Sequence, residues 1–303
     1  MNTLLESTNI ESWQQQTSFG HAIQGFHRQV ENPEQRVHFL HGTGFSAGTL
    51  IPLMHLMPES WDCYISNIPG HGGSTWNEDR APNWLEMADA LAESIRKKMD
   101  VENKGPVVGI GHSFGGALTL IAASRNPDLF SRIILLDPIM IRPTLSVAQY
   151  FMRATGLWKK TASYKSVHNR KYQWPNAADM KAELSKKRLY RNFDPQVMEY
   201  FVQTASHINQ QGQRELSCAP RWEASIFASF PPLLEVSENC CTNPSSTNCS
   251  SNWALVNSYS TGSPLSKAEA TSFLHPAKTP VIVLKINMNF NVFIPNELIG
   301  KQP

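Results

Sequence analysis

The sequence predicts an α/β protein built on a doubly wound, mostly parallel β-sheet. Short, continuous apolar runs, which are typical of strands buried on both faces, alternate with segments of helical periodicity. The clearest case begins at Gly105, where a strand (GPVVGIGHS), a helix (FGGALTLIAASRNP) and a second strand (SRIILLDP) follow one another. This βαβ unit favours a parallel sheet with helices on its faces.

Two strands and a helix are predicted ahead of that unit. The run RVHFLHG, from Arg36, and the run WDCYISNIPG each contain a short apolar segment that ends near a glycine. Between Asn83 and Met99 the apolar residues recur at helical spacing. Three basic residues, 96–98, stand in the last turn, where the helix dipole favours positive charge. This segment is therefore predicted to be a surface helix.

A helical insertion is predicted after the βαβ unit. From Arg142 to Gln213 the chain has long amphipathic stretches such as DPQVMEYFVQTA, with no convincing strand between them. Asp194 is predicted as a helix N-cap, with Pro195 at the first helical position. The insertion follows the carboxyl end of a strand, where a lid over a ligand crevice belongs. The predicted division is a core at 18–140, a helical lid at 141–213 and the remaining core at 214–303.

The last 72 residues, 232–303, differ in composition from the rest of the chain. They contain no Asp and no Arg, whereas the first 231 residues contain 8 Asp and 13 Arg, so about six would be expected. They also hold 9 Asn, 10 Ser and three of the five Cys. Within them only TPVIVLKI, residues 279–286, is predicted to form a strand.

Composition and charge exclude several classes of protein. The chain has 27 Lys and Arg against 25 Asp and Glu, without a basic stripe, which argues against nucleic acid as a partner. No apolar run approaches the ~18 residues that cross a bilayer, and the polar N-terminal residues lack the apolar segment of a secretory signal. The five cysteines fit neither a zinc site nor a disulfide framework. We therefore expect a cytoplasmic protein, with no metal or cofactor, since zinc and nucleotide motifs are missing.

The most specific motif is the sequence GHSFGG, residues 111–116, between the strand VVGI and the helix ALTLIAA. It is a G-x-S-x-G motif in the strand-to-helix context that this motif requires. The turn is crowded, so glycines stand two positions to either side of Ser113. Ser113 is therefore predicted to be a nucleophile, the alternative being a glycine-rich packing turn.

Two backbone N–H groups are predicted to form an oxyanion hole. The Phe114 N–H lies at a helix N-terminus, where the helix dipole favours negative charge. A second donor is predicted at Thr43, in the HGTGF loop that follows the RVHFL strand, because its glycines let the backbone approach a substrate. The alternative is an ordinary glycine turn.

These motifs resemble those of the α/β-hydrolase fold superfamily, in its serine hydrolase branch. The resemblance rests on FLHGTG (39–44), IPGHGGS (68–74), GHSFGG (111–116) and ILLDP (134–138), and it extends over residues 18–231. It implies an α/β-hydrolase fold with a lid, a Ser, carboxylate and His triad, an oxyanion hole after the HG motif, and usually no cofactor. The serine at the turn also excludes the aspartate chemistry of epoxide and haloalkane hydrolases.

Asp137 is the predicted acid of this triad. It lies 24 residues after Ser113, at the end of the next strand, and therefore at the same edge of a parallel sheet. Many members of the superfamily take the acid from the strand after the lid. Here that strand is TPVIVLK, and no carboxylate follows it until Glu297. The alternative for Asp137 is a structural role in the turn before Pro138.

No histidine can be assigned as the base. The superfamily takes it from a position after the last strand, but no histidine follows His275, which precedes TPVIVLK. His168 and His207 lie in the predicted lid, and His41, His71 and His112 lie in loops where the family uses them to shape the site. Because the composition also changes at 232, we hypothesise that residues 232–303 replace the native ending of the family.

The sequence therefore predicts a serine hydrolase that cleaves a small ester or related carbonyl substrate through an acyl-enzyme on Ser113. Acyl transfer to an acceptor other than water stays open. The alternative is a catalytically inactive or truncated hydrolase-like protein that lacks the base histidine. Five lid aromatic residues could line an apolar substrate pocket, but at helical spacing such residues more often form a core: Trp158, Tyr164, Tyr172, Trp174 and Phe193.

Overall fold

A computed structural model of the chain describes residues 9–76, 83–139, 151–152 and 154–229, together with the backbone of three later strands. The strands are β1 (Glu11–Gln16), β2 (Ala22–Arg28), β3 (Gln35–Leu40), β4 (Trp61–Ser66), β5 (Val107–His112), β6 (Phe130–Leu136), β7 (Gln173–Trp174), β8 (Ser206–Ile208), β9 (Arg214–Leu216), β10 (Ala254–Ser260), β11 (Glu269–Leu274) and β12 (Pro280–Lys285). The α-helices are α1 (Ile51–His55), α2 (Trp84–Lys98), α3 (Val101–Lys104), α4 (Phe114–Arg125), α5 (Ala162–His168), α6 (Ala177–Leu184), α7 (Pro195–Thr204) and α8 (Pro220–Ala228).

The main sheet has the strand order β1-β2-β4-β3-β5-β6-β12-β11-β10. Its five central strands, β4, β3, β5, β6 and β12, pair in parallel. Antiparallel strands flank them, with β1 and β2 on one side and β11 and β10 on the other. The predicted fold class, a mostly parallel α/β-hydrolase sheet, is confirmed.

The two faces of the sheet are buried in separate clusters. Strand side chains alternate between faces, so Ile133 and Leu135 of β6 pack with α2 and α4, whereas Ile134 and Leu136 pack against residues 47–57. The helix predicted after Asn83 is α2, and the Asn83 side chain accepts hydrogen bonds from the Leu85 and Glu86 N–H groups. Burial on both faces explains the continuous apolar runs.

We define the lid by the bounds predicted from the sequence, 141–213. Its described residues form a hydrophobic core of their own. Trp174, Met180 and Phe201 are nearly inaccessible and pack together with Phe45 from the loop after β3. The Asp194 side chain accepts a hydrogen bond from the Gln196 N–H at the start of α7, as predicted. The expectation that no strand lies between the lid helices is wrong, since β7, β9 and β8 form a small sheet.

The sequence analysis missed one hairpin, and some of its predictions concern residues that the structure does not describe. The hairpin β1–β2 was not predicted, because β1 is polar and largely exposed. The predicted strand at 279–286 is β12, paired in parallel with β6. The hypothesis that residues 232–303 replace a family ending stays a prediction, as do the domain boundaries. Residues 141–150, the cysteines 240, 241 and 249, and His275 lie outside the described residues.

No helix in the described part of the chain combines the length and the apolar character that crossing a membrane requires.

Replacing Ile134 by Ala tests the central packing. Ile134 is fully buried in β6, so Ile134→Ala is expected to lower the free energy of unfolding by about 3 kcal/mol. The control is Leu56→Ala, since Leu56 is 68% exposed and its loss should change stability by less than about 0.5 kcal/mol. Urea denaturation measures both. Equal losses in the two variants would contradict the packing described above.

Candidate active site

Ser113 lies on a sharp turn between β5 and α4. Its φ angle of 51° is in the left-handed region, which non-glycine residues seldom adopt. The glycines around it allow close backbone contacts. A Cβ on Gly111 would lie 2.6 Å from the Gly115 carbonyl oxygen, and a Cβ on Gly115 would lie 2.5 Å from the Leu40 carbonyl oxygen. The GHSFGG motif therefore has the strained strand-to-helix turn that the sequence predicts.

Backbone hydrogen bonds join this turn to the loop that carries Asp137. The Ser113 N–H donates to the Leu136 carbonyl at 3.0 Å, and the Ile139 N–H donates to the Ser113 carbonyl at 3.2 Å. Asp137 lies between these two contacts and also has a positive φ, 44°. The predicted nucleophile and the predicted acid are thus held together by the main chain.

A pocket of about 590 Å³ contains both side chains. Thr43, His112, Ser113 and Asp137 line one part of it. The rest of its wall comes from the lid and from α8 and the residues next to them, together with Phe45: Ser166, Val167, Arg170, Lys171, Trp174, Glu183, Leu184, Lys187, Leu189, Tyr190, Leu216, Glu223 and Phe227. The structure therefore brings Thr43, Ser113 and Asp137 to one cavity, as a hydrolytic site requires.

The two predicted oxyanion donors belong to the loop after β3 and to the start of α4. Neither the Thr43 N–H nor the Phe114 N–H donates a hydrogen bond to another described residue. Phe114 is the first residue of α4, and its side chain is buried edge-on against Trp84. Next to Thr43, Gly44 has a φ of 77°, and a Cβ there would lie 2.7 Å from Glu223 Oε1. No other described group therefore competes for either N–H, as an oxyanion donor requires.

Two of the histidines in the site loops are committed to structural hydrogen bonds. His41 Nε2 accepts from the Ile68 N–H at 3.0 Å, so its Nδ1 carries the proton and donates to the Gly42 carbonyl at 2.7 Å. Burial lowers the pKa of His41 well below its usual value. Burial also lowers the pKa of His71 to about 4. Such weak bases are unsuited to accept a serine proton at neutral pH.

The other candidate histidines differ in location. His112 lines the pocket, and burial lowers its pKa while the charge of Asp137 raises it. His168 is exposed and its Nδ1 lies 3.0 Å from Asn169 Oδ1, and His207 is exposed on β8. No hydrogen bond joins the Ser113 hydroxyl to any histidine in the described part of the chain. The assignment of a base therefore stays open.

One of the five lid aromatic residues considered for a pocket wall lies in the pocket. Trp174 lines it, whereas Trp158, Tyr164, Tyr172 and Phe193, all of them described, do not. Phe193 packs on Phe45 instead, at a ring-centroid distance of 5.8 Å. Core packing, the alternative considered from the sequence, applies to Phe193.

Sequence reasoning missed Phe45, Arg170 and Glu223 as pocket residues. Arg170 Nη2 lies 2.5 Å from Glu223 Oε2, and the Glu223 residue is 5% exposed. Burial raises the pKa of Glu223, while Arg170 lowers it. No sequence motif marks this pair, because its partners lie on separate segments, after α5 and on α8. Within the described residues there is no cluster of three or more His, Cys, Asp or Glu that could hold a metal ion.

A mostly parallel sheet with a serine on a sharp strand-to-helix turn, beneath a lid, is the architecture of the α/β hydrolases. The chain belongs to the alpha/beta hydrolase family, whose model matches residues 39–237. The match ends close to residue 232, where the composition changes.

Relatives and solved structures are similar to parts of this chain. Lipase LipV of Mycobacterium tuberculosis is 35% identical over 103 residues, which cover 34% of this chain and 37% of the lipase. The abhydrolase domain-containing protein AFT2-1 of Alternaria alternata is 33% identical over 106 residues, 35% of this chain and 36% of that protein. The chain thus spans little more than a third of these relatives. The thioesterase domain from the curacin biosynthetic pathway superposes with a TM-score of 0.57 and 17% identity, covering 77% of this chain and 80% of that domain, which shows a shared fold.

Gly115→Ala tests the close approach at the serine turn. Gly115 lies inside α4, where replacing glycine by alanine ordinarily stabilises a helix by about 1 kcal/mol. Here the added methyl group would overlap the Leu40 and His41 carbonyls, so we expect a loss of about 3 kcal/mol. Gly156→Ala is the control, because Gly156 has open space and a φ of 71°, and should lose about 1 kcal/mol. A stabilised Gly115→Ala variant would contradict the described turn.

His38→Gln tests the pH dependence that burial imposes. His38 on β3 is 1% exposed, hydrogen bonds to Ser66, and has a pKa lowered by burial to about 3. Because the unfolded chain binds this proton near pH 6.5, stability falls as the pH drops below that value. Between pH 7 and pH 5 the wild type should lose about 2 kcal/mol more than His38→Gln in urea denaturation. Parallel losses would show that His38 titrates normally.

Proposed function

We propose that this protein is a serine hydrolase that cleaves a small ester or related carbonyl substrate through an acyl-enzyme on Ser113. The observation that carries the proposal is the meeting of Ser113, on its strained turn, with Asp137 in one pocket. Family membership and the likeness to a lipase favour the same class of reaction. The proposed reaction uses side chains and water, without a cofactor, and a cytoplasmic location stays a prediction.

The proposed roles follow from the position of each group. Ser113 Oγ attacks the substrate carbonyl once its proton has passed to an imidazole. The N–H groups of Phe114 and Thr43 bind the developing oxyanion, because both are without a partner among the described residues. Asp137 orients that imidazole and stabilises its charge. Water, or another acceptor, then releases the acyl group.

A second candidate function is binding of a small ligand without catalysis. It is favoured by one specific observation, that no described histidine hydrogen bonds to Ser113. Without a base the hydroxyl stays protonated at neutral pH and is a poor nucleophile. The pocket would then retain its shape and its charged groups but not its reaction.

Labelling with a fluorophosphonate probe distinguishes the two functions. We expect the wild-type protein to be labelled stoichiometrically and Ser113→Ala not to be labelled, because the probe reacts with an activated serine. Asp137→Asn should react slower by about two orders of magnitude or more, since it can no longer hold the imidazole in the required tautomer. Mass spectrometry of the intact protein measures all three.

Circular dichroism first establishes that each variant is folded. Equal labelling of wild type and Ser113→Ala would contradict the assignment of the nucleophile. A folded wild-type protein that resists the probe would favour the binding function. If labelling occurs, His112→Ala and His275→Ala, in the same assay, identify which imidazole supplies the base.

A further inference from the structure

Arg170 lies in the wall of the pocket that contains Ser113, directly after α5 of the lid. Its Nη2 contacts Glu223 Oε2, but its Nε is buried and has no hydrogen-bond partner among the described residues. The Arg170 side chain keeps 23% of its surface exposed. A buried guanidinium N–H without a partner costs free energy, so Glu223 alone does not satisfy the donors of Arg170, whose exposed part lines the pocket.

Three basic side chains and three carboxylates line the pocket: Arg170, Lys171, Lys187, Asp137, Glu183 and Glu223. Lys171 Nζ lies 2.5 Å from Glu183 Oε2, an oxygen that also accepts from the Trp174 indole N–H. This pair is therefore satisfied internally. Lys187 also lines the pocket; no ion pair joins it to a described carboxylate, although its charge contributes to lowering the pKa of Glu183. The Arg170 guanidinium and the Lys187 ammonium are therefore the two candidate contacts for an anionic ligand in this pocket.

Glu223 limits how strongly Arg170 can bind a ligand. Its carboxyl group is buried beside both Arg170 and Gly44, so it holds one edge of the guanidinium. A planar guanidinium has five N–H donors and can contact a second carboxylate with the remaining ones. The Glu223 charge competes with such a ligand, and removing that charge should strengthen binding.

We propose that the pocket binds an ester that carries a free carboxylate, with that carboxylate on Arg170 and Lys187 and the ester carbonyl at Ser113. The carbon chain between the two groups would lie against the apolar wall of Phe45, Leu184 and Tyr190. The reaction at Ser113 rests on the proposed hydrolase function. Binding of the carboxylate does not, because Arg170 and Lys187 stand apart from the bond-breaking step.

The test uses two probes of one carbon skeleton that differ by a single charge. Monomethyl glutarate has one ester and one carboxylate, whereas dimethyl glutarate has two esters and no charge. Binding is measured by isothermal titration calorimetry to Ser113→Ala protein, in which neither ester is turned over. We expect monomethyl glutarate to bind at least about tenfold more tightly, as charge-assisted hydrogen bonds to a partly buried guanidinium predict.

Three further variants, each combined with Ser113→Ala, assign the effect to Arg170. Glu223→Gln should increase the affinity for monomethyl glutarate, since the competing carboxylate is gone. Arg170→Gln together with Glu223→Gln should weaken the preference severalfold, leaving the contribution of Lys187, and it keeps an amide pair in the buried contact so that folding is preserved. Lys165→Gln is the matched control, because Lys165 is an exposed lid cation outside the pocket, and it should retain the preference.

Each outcome bears on one proposal at a time. Equal or tighter binding of dimethyl glutarate, no binding of either ester, or a preference that is undiminished by loss of Arg170 would overturn the carboxylate site. An affinity gain in Glu223→Gln is not expected if the ion pair is only structural. If the preference is present but the wild-type protein neither hydrolyses monomethyl glutarate nor reacts with a fluorophosphonate, the hydrolase function fails and the binding site stands.

Discussion

The hydrogen-bonded contact between the Ser113 turn and the end of β6 is the constraint on which the rest of the site depends. Ser113 uses its N–H and its carbonyl to hold Leu136 and Ile139, so its backbone and that of Asp137 cannot move independently. Both residues have positive φ angles, a conformation that surrounding structure must enforce. The parallel pairing of β5 with β6 provides this enforcement, because it brings the ends of both strands to one edge of the sheet.

The loop after β3 contacts both the site loops and the lid. Its His41 ring holds the Ile68 N–H of the loop after β4, which fixes two site loops against each other. Its Phe45 ring belongs to the lid core, with Phe201 at 5.9 Å. Glu223, on α8, then fills the space above Gly44. The proposed oxyanion donor at Thr43 is therefore held by the sheet, by the lid and by α8 together.

The sequence predicted the parts of this protein whose signals are local. Continuous apolar runs identified β3, β4, β5, β6 and β12, and the GHSFGG motif identified the turn at Ser113, because strand burial and turn strain restrict residue types over a few positions. The hairpin β1–β2 was not predicted, because an exposed edge strand needs no apolar pattern. The ion pair of Arg170 with Glu223 was not predicted for another reason. Its partners lie 53 positions apart in the sequence, and the packing of α5 on α8 brings them together.

The sheet topology restricts where a base could enter the site. β12 is parallel to β6, so its end at Lys285 lies at the same edge of the sheet as Ser113. No histidine occurs in the sequence after Lys285. β11 runs in the opposite direction and ends with Leu274 beside Pro280, at the far edge of the sheet. Among the described histidines, His112 is the one that lines the pocket. Burial, the larger effect, lowers its pKa, and the charge of Asp137 opposes this shift. The location of His112 therefore fits a base, but its lowered pKa makes it a weaker one at neutral pH.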